Sequence, residues 1–224
     1  MSIVDRFVSL YAPHLCVGCG REGRPLCRSC GDLLPAMEPS CYGCGSTRRG
    51  WRTCHDCKPA KPLTAVMCLT SYSGPAKRLL AGLKFQRAMA AADDVAALMA
   101  RRFGEGIAPD VLIMPVPTAT SRVRARGYDQ SVLIAKSLAR QTEGIFAPLL
   151  ERSGHSEQKT ADRLQRQQQL QNAYSLKRHA DIRGKRILLV DDVLTTGATL
   201  DVVGAMLKRD GALVVGAMVF ARVE

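Results

Sequence analysis

Long apolar runs are missing from this 224-residue chain, and aromatic side chains are scarce at 5%, with Trp51 the single tryptophan. No stretch approaches the roughly 20 apolar residues that a membrane-spanning helix needs, so no membrane insertion is expected. The opening Met1-Ser2-Ile3-Val4-Asp5-Arg6 carries an acid, and the apolar residues 7–13 are too short and broken for an export signal. A soluble cytoplasmic protein is the expectation. Three of the four histidines, His14, His155 and His179, form no partner pattern, and no helix-turn-helix signature is visible.

What the chain has in excess is positive charge and cysteine. Its formal net charge is +12. Up to residue 60, eight Lys and Arg face five Asp and Glu, leaving +3 there and +9 beyond. Polyanions such as pyrophosphate esters or nucleic acid suit such a balance, although a solvated basic surface accounts for it equally. The length allows one domain of ordinary size plus a small satellite.

Eight of the nine cysteines fall in four Cys-x-x-Cys pairs: Cys16/Cys19, Cys27/Cys30, Cys41/Cys44 and Cys54/Cys57. Each pair curls two thiolates toward one point, and two pairs complete a tetrahedral sphere suited to structural zinc. A disulfide framework fits poorly with the absent export signal, and a redox pair does not need four repeats. Sequential pairing gives two zinc ribbons; crossed pairing or a single zinc stays open. The segment holds few large apolar residues, chiefly Leu26, Leu33, Leu34, Tyr42 and Trp51. Metal must therefore supply folding energy, on the order of 10 kcal/mol per site. His55, inside the last pair, is expected to face solvent, and Cys68, in an apolar stretch, to be a small core residue.

The segment Ile187-Leu188-Leu189-Val190-Asp191-Asp192-Val193-Leu194-Thr195-Thr196-Gly197-Ala198-Thr199 carries the most information. A four-residue apolar run suits a strand covered on both faces of a parallel sheet. Ligands sit beyond the carboxyl ends of such strands, where Asp191 and Asp192 are expected to emerge. The Thr-Thr-Gly-Ala-Thr loop then enters a helix through residue 209, closed by Gly211. Free N–H groups, the positive dipole end and threonine hydroxyls can bind a phosphate there without lysine. The chemistry read from these residues is ribose hydroxyls on carboxylates and phosphate on the loop. The plainer alternative is a turn and helix cap.

Residues 187–199 resemble the 13-residue phosphoribosyl-pyrophosphate (PRPP) signature of type I phosphoribosyltransferases. With the cysteine pairs, Lys84-Phe85, Pro115-Val116-Pro117, Arg122 and Arg126-Gly127-Tyr128-Asp129-Gln130, nearly the whole chain is similar to the ComF family. The resemblance implies a type I phosphoribosyltransferase-like α/β fold, a parallel sheet flanked by helices, with a cysteine-rich double zinc ribbon in front. It implies that Asp191 and Asp192 approach the ribose hydroxyls, and that Thr195, Thr196, Gly197, Ala198 and Thr199 surround the 5′-phosphate. It also implies a link to DNA uptake in natural competence, and it supports Lys84 as a site candidate.

The stiff junction at residues 58–62 divides a ribbon domain, 1–60, from a sheet domain, 61–224. A strand is expected over 64–72, a helix from Gly74-Pro75 with Leu79, Leu80 and Leu83 on one face, and a second helix to Phe103. The core then opens with a strand at 111–117, followed by a loop over 118–127 whose Arg122 and Arg126 are candidate pyrophosphate ligands. Residues 129–141 read as a helix that buries Val132, Leu133, Ala135, Leu138 and Ala139. The glutamine-rich stretch between Leu150 and Tyr174 takes the place of the phosphoribosyltransferase hood, with Arg152, Gln158, Arg166 and Asn172 as candidates. Residues 212–220 supply a final strand.

Transfer of ribose 5-phosphate from PRPP to a nitrogen nucleophile, with Mg²⁺ on the departing pyrophosphate, is the reaction this arrangement suggests. The alternative is a single-stranded-DNA-binding competence factor with a regulatory or vestigial PRPP site. Tyr42 and Trp51 are thin support for it as stacking platforms.

Overall fold

The computed structural model describes residues 14–85, 88–153 and 173–223. Short helix α1 (Arg28–Asp32) lies in the cysteine-rich front, followed by β1 (Val66–Ser71), α2 (Gly74–Phe85) and α3 (Ala90–Phe103). Next come β2 (Val111–Pro115), α4 (Thr120–Arg126), α5 (Gln130–Gln141), β3 (Ile145–Phe146) and β4 (Leu150–Arg152). The chain ends with β5 (Tyr174–Leu176), β6 (Arg186–Leu194), α6 (Ala198–Arg209) and β7 (Val214–Arg222).

Five strands form one parallel sheet in the order β1-β7-β6-β2-β3, while β4 and β5 pair separately as an antiparallel ribbon. The expected fold class is thus what forms. Ile187, Leu188, Leu189 and Val190 are all buried, as a strand covered on both faces requires. One face packs beneath α2, α3 and α5 around Leu80, Val95, Ile134 and Val190. The other packs beneath α6 and the β4–β5 ribbon around Leu189, Val203, Leu207 and Val215.

The topology makes a crevice. From β2 the chain leaves toward β3 through α5 on one face, and from β6 it leaves toward β7 through α6 on the other. Their connections diverge at the β2–β6 junction, the switch point where doubly wound sheets accept ligands.

The cysteine-rich front covers what the sheet leaves open. Between the two ribbons, Ala36 bridges Thr70 and the Met37 amide donates to Leu69 O (3.1 Å), capping the outer edge of β1. Leu26, Leu34 and Tyr42 are buried as the thin core requires, but Leu33 is 81% exposed. Trp51 packs edge-on against Phe103 at 5.9 Å. With Trp51 packed and Tyr42 buried, neither aromatic side chain is the open stacking platform considered from sequence. Cys68 is buried in β1, and burial pushes its thiol up to about 11, as befits an inert core residue.

Three local expectations need correction. The strand carrying the acids does not end at Val190. It runs to Leu194, because β7 stays paired in constant register through Asp191↔Val219 and Leu194↔Arg222. Residues 120–126 form a helix instead of a loop, having no Gly or Pro to break it, and the helix closes on the left-handed Gly127 at φ 85°. Helix α5 buries Ile134, Ser131 and Ser137 while Val132, Leu133 and Ala139 stay partly exposed, because it is wedged between α3 and the sheet. No described helix is long and apolar enough to cross a membrane.

Candidate functional site

Because β2 stops pairing at Pro115↔Val190, the last residues of β6 face the crevice on that side. Asp192 is buried, 5% exposed, and Asp191 is half-buried beside it. Two carboxylates so placed need cations or donors. Lys84, from the last turn of α2, sets Nζ 2.6 Å from Asp192 Oδ2. Gln130 Nε2 donates to the same oxygen at 3.4 Å, and Ser131 Oγ donates to Asp191 Oδ1 at 3.3 Å. The Asp192 amide also donates to Asp191 Oδ1 at 2.8 Å. Desolvation, then the neighbouring Asp192 charge, raise Asp191 to about 8 against the opposing pull of that amide, Lys84 and Ser131. A carboxyl raised in this way by burial and a neighbouring acid suits a group that meets a polar ligand.

The connection after β2 is tied to α5. Asp129 caps α5 by accepting from the Ser131 amide (3.0 Å), and it also accepts from the Thr118 amide (2.8 Å) and hydroxyl (3.0 Å). Arg126 donates to Gln130 Oε1 at 2.7 Å and lies over the Phe85 ring at 5.6 Å. It therefore reaches the acid pair through Gln130. Arg122 is exposed on α4, with no side-chain partner among the described residues. The Tyr128 hydroxyl donates to Leu83 O, fastening this connection to α2.

Beyond β6, Thr195 and Thr196 are exposed, Gly197 is buried at φ 78°, and Ala198 and Thr199 open α6. No side chain caps the helix in the usual way; Ala198 N–H makes one long contact, 3.4 Å, to Thr196 Oγ1. First-turn amides and two threonine hydroxyls thus stand together at the positive end of α6. Tyr174 was missed from sequence. Burial raises its phenol, the Arg152 charge lowers it, the Asp191 charge raises it, and a Thr199 side-chain hydrogen bond lowers it. The Arg152 guanidinium lies 5.3 Å from its ring centroid. No local pattern marks a lone tyrosine at the end of a polar stretch, nor Gln130 and Ser131 at the start of a helix. Of the hood candidates, Arg152 lies in β4, whereas Gln158, Arg166 and Asn172 fall outside the described residues.

The cysteines gather sequentially into two tetrads, Cys16/Cys19/Cys27/Cys30 and Cys41/Cys44/Cys54/Cys57, the ligand atoms of each lying within 4.8 Å of one another. A tetrahedral zinc with Zn–S bonds of about 2.3 Å requires sulfur atoms about 3.8 Å apart. Cys19–Cys27 and Cys44–Cys54 Sγ separations are both 3.8 Å. Backbone amides converge on the sulfurs: Gly18 and Cys27 on Cys16 (3.4 and 3.3 Å), and Cys54 on Cys41 (3.4 Å). Burial opposes ionisation of Cys16 and Cys41, but these amides overcome it and bring each to about 6. Geometry and donor set fit zinc in both tetrads, and the crossed pairing left open from sequence does not occur. His55 is fully exposed, as expected.

The phosphoribosyl transferase domain family profile matches residues 83–224, so the crevice belongs to a phosphoribosyltransferase-type domain. DNA utilization protein YhgH of Salmonella typhimurium is 32% identical over 216 residues, covering 90% of this chain and 87% of its own. Competence protein F of Haemophilus influenzae is 28% identical over 208 residues, covering 88% and 85%. The solved glutamine phosphoribosylpyrophosphate amidotransferase from B. subtilis aligns with 59% of this chain and 26% of its own, at 22% identity and a TM-score of 0.44. The chain belongs to the ComF family.

Proposed function

We propose that this protein binds PRPP with Mg²⁺ in the crevice and transfers ribose 5-phosphate to a nitrogen nucleophile with loss of pyrophosphate. The observation that carries the reading is the acid pair at the carboxyl end of the central strand, directly followed by an uncapped helix start with exposed threonines. Asp191 and Asp192 accept from the ribose hydroxyls, and residues 195–199 hold the 5′-phosphate. Arg126 and Arg122 on α4, with Lys84, answer the pyrophosphate charge. Asp191 and Asp192 also offer the hard oxygen donors that Mg²⁺ prefers. Holding the sugar while positive charge develops at its anomeric carbon needs no covalent nucleophile. Titration calorimetry of PRPP with Mg²⁺ tests this: saturable heat is expected from the wild type, and at least tenfold weaker binding from Asp191→Ala/Asp192→Ala. Equal binding by both proteins overturns it.

The same reading gives the tetrads structural zinc and places the protein in the reducing cytoplasm, beside the DNA-uptake proteins that its relatives' names suggest. A single-stranded-DNA contact is the second reading. Exposed Arg122 and Arg124 on α4 and the +12 net charge favour it. Filter binding across a salt series decides it, since an electrostatic binder must weaken steeply as salt rises.

A further inference from the structure

We propose that Tyr42, carried by the second cysteine tetrad, and Lys61, packed against it, are positioning residues for the phosphate loop, and that Lys61 neutralises an acid that would otherwise repel the phosphate. The proposal rests on the reading of residues 195–199 as the loop that takes the sugar phosphate.

Tyr42 lies between two ligand positions, Cys41 and Cys44. The turn is tight: a Cβ on Gly43 would lie 3.0 Å from Cys57 Sγ and 3.3 Å from Lys61 Cγ. Lys61 is therefore packed against the turn of the tetrad. From this turn the Tyr42 hydroxyl donates to Asp201 Oδ1 at 3.0 Å and accepts from the Leu63 amide at 3.3 Å. Lys61 Nζ takes the other oxygen, Asp201 Oδ2, at 2.5 Å and lies 5.3 Å from the Tyr42 ring centroid. Next to this cluster, a Cβ on Gly197 would lie 3.8 Å from Tyr42 Cδ2, so the ring backs the left-handed glycine that turns the loop into α6. Pro62 and Leu63 press on the same helix at Gly204, where a Cβ would meet Leu63 at 2.9 Å.

Asp201 makes this arrangement more than docking. It sits in the first turn of α6, and its amide donates to Gly197 O at 2.9 Å. A carboxylate there suits the helix dipole, but it also opposes any anion arriving at the same helix end. Tyr42 and Lys61 occupy both of its oxygens. The second ribbon thus fixes the glycine turn and cancels the one acidic charge in the first turn of α6.

A charge cycle tests this. Lys61→Met should weaken Mg²⁺·PRPP binding about tenfold by calorimetry, and adding Asp201→Asn should restore most of the loss, which a purely structural Lys61 would not allow. Unchanged affinity in Lys61→Met, or no recovery in the double variant, overturns the charge argument. Hydrogen exchange on the ligand-free protein reads the positioning role. Tyr42→Phe, and Cys44→Ser with its zinc content measured, should speed exchange over residues 195–201 while β7 stays protected. Unchanged exchange in Tyr42→Phe overturns the positioning role. Should the wild type bind no PRPP, the phosphosugar reading falls, whereas the exchange result still decides whether this ribbon shapes the loop.

Discussion

The two cysteine ribbons share their chemistry and differ in what they hold. Both place one sulfur under converging amides, with Cys16 and Cys41 each near 6. Both leave the last thiol, Cys30 or Cys57, pushed up to about 12, first by its hydrogen bond to a neighbouring sulfur and then by desolvation. Both turn on a left-handed glycine at φ 74°, Gly20 and Gly45. The first ribbon docks on the helical face. Asp94 of α3, 4% exposed, accepts from Leu26 N and Arg24 Nε at 2.8 Å each. Arg78 of α2 donates to Val17 O, and Gly31 lies flush with Leu98. The second ribbon docks on α6 through Tyr42, Lys61 and Asp201, beside the crevice. Equivalent cysteine turns thus serve different ends: one clamps two helices, of which α2 brings Lys84 to Asp192, and the other borders the loop that follows the acid pair.

The largest effect expected is from metal removal. With structural zinc in both tetrads, as proposed, each ion would contribute on the order of 10 kcal/mol to folding, so a strong chelator should release two equivalents and unfold the front of the chain while β6 and β7 keep their exchange protection. Release of a single equivalent would break the symmetry between the ribbons. Docking comes next. Asp94→Ala strands the buried Leu26 amide and should cost about 2–3 kcal/mol in denaturant unfolding. Asp201→Ala, at a quarter-exposed carboxylate, should cost roughly 1 kcal/mol. The reverse order would mean that the second ribbon is the main clamp.

Two desolvated acids give stability a pH dependence of one sign. Asp191 is raised from 3.8 to about 8, so the native state keeps a proton that the unfolded chain has released. Its contribution is present below the unfolded value and lost as pH rises toward about 8. Asp94 is also raised, by desolvation against the pull of the Leu26 amide and Arg24, and its contribution has the same sign. The lowered thiols of Cys16 and Cys41 act in the opposite sense, so the test is a difference: the melting temperature of the ligand-free wild type minus that of Asp191→Asn should fall between pH 5 and 8. A difference that stays flat across this range would remove Asp191 as the titrating group.

Legibility from sequence follows the same division. Cysteine spacing announced four-ligand sites because the signal is local, a pair of thiols per turn, and sequential gathering is what forms. The strand, acid pair and glycine loop of residues 187–199 were equally local. What sequence hid depends on distant partners. Residues 191–194 stay in the strand because β7 runs beside them, and Gln130, Ser131 and Tyr174 reach the crevice from elements remote in the chain. Arg126 illustrates the middle case: its charge drew attention, but its bond to Gln130 and its stacking on Phe85 required the α4 helix, which a basic stretch without turn residues did not announce.

The smallest effect should come from His55, which tests whether the second tetrad is all sulfur. The first ribbon has Arg28 at the equivalent position after the third cysteine, exposed and 3.8 Å from Asp32. His55 is fully exposed, and its nearest charge is Asp56 at 3.7 Å. An imidazole that points to water cannot replace a thiolate without reversing its turn, so His55→Ala should leave zinc content and melting temperature at wild-type values. Loss of half the bound zinc would make His55 a ligand and the two ribbons chemically unlike, and the docking contrast would then follow from the metal sites themselves instead of from their neighbours.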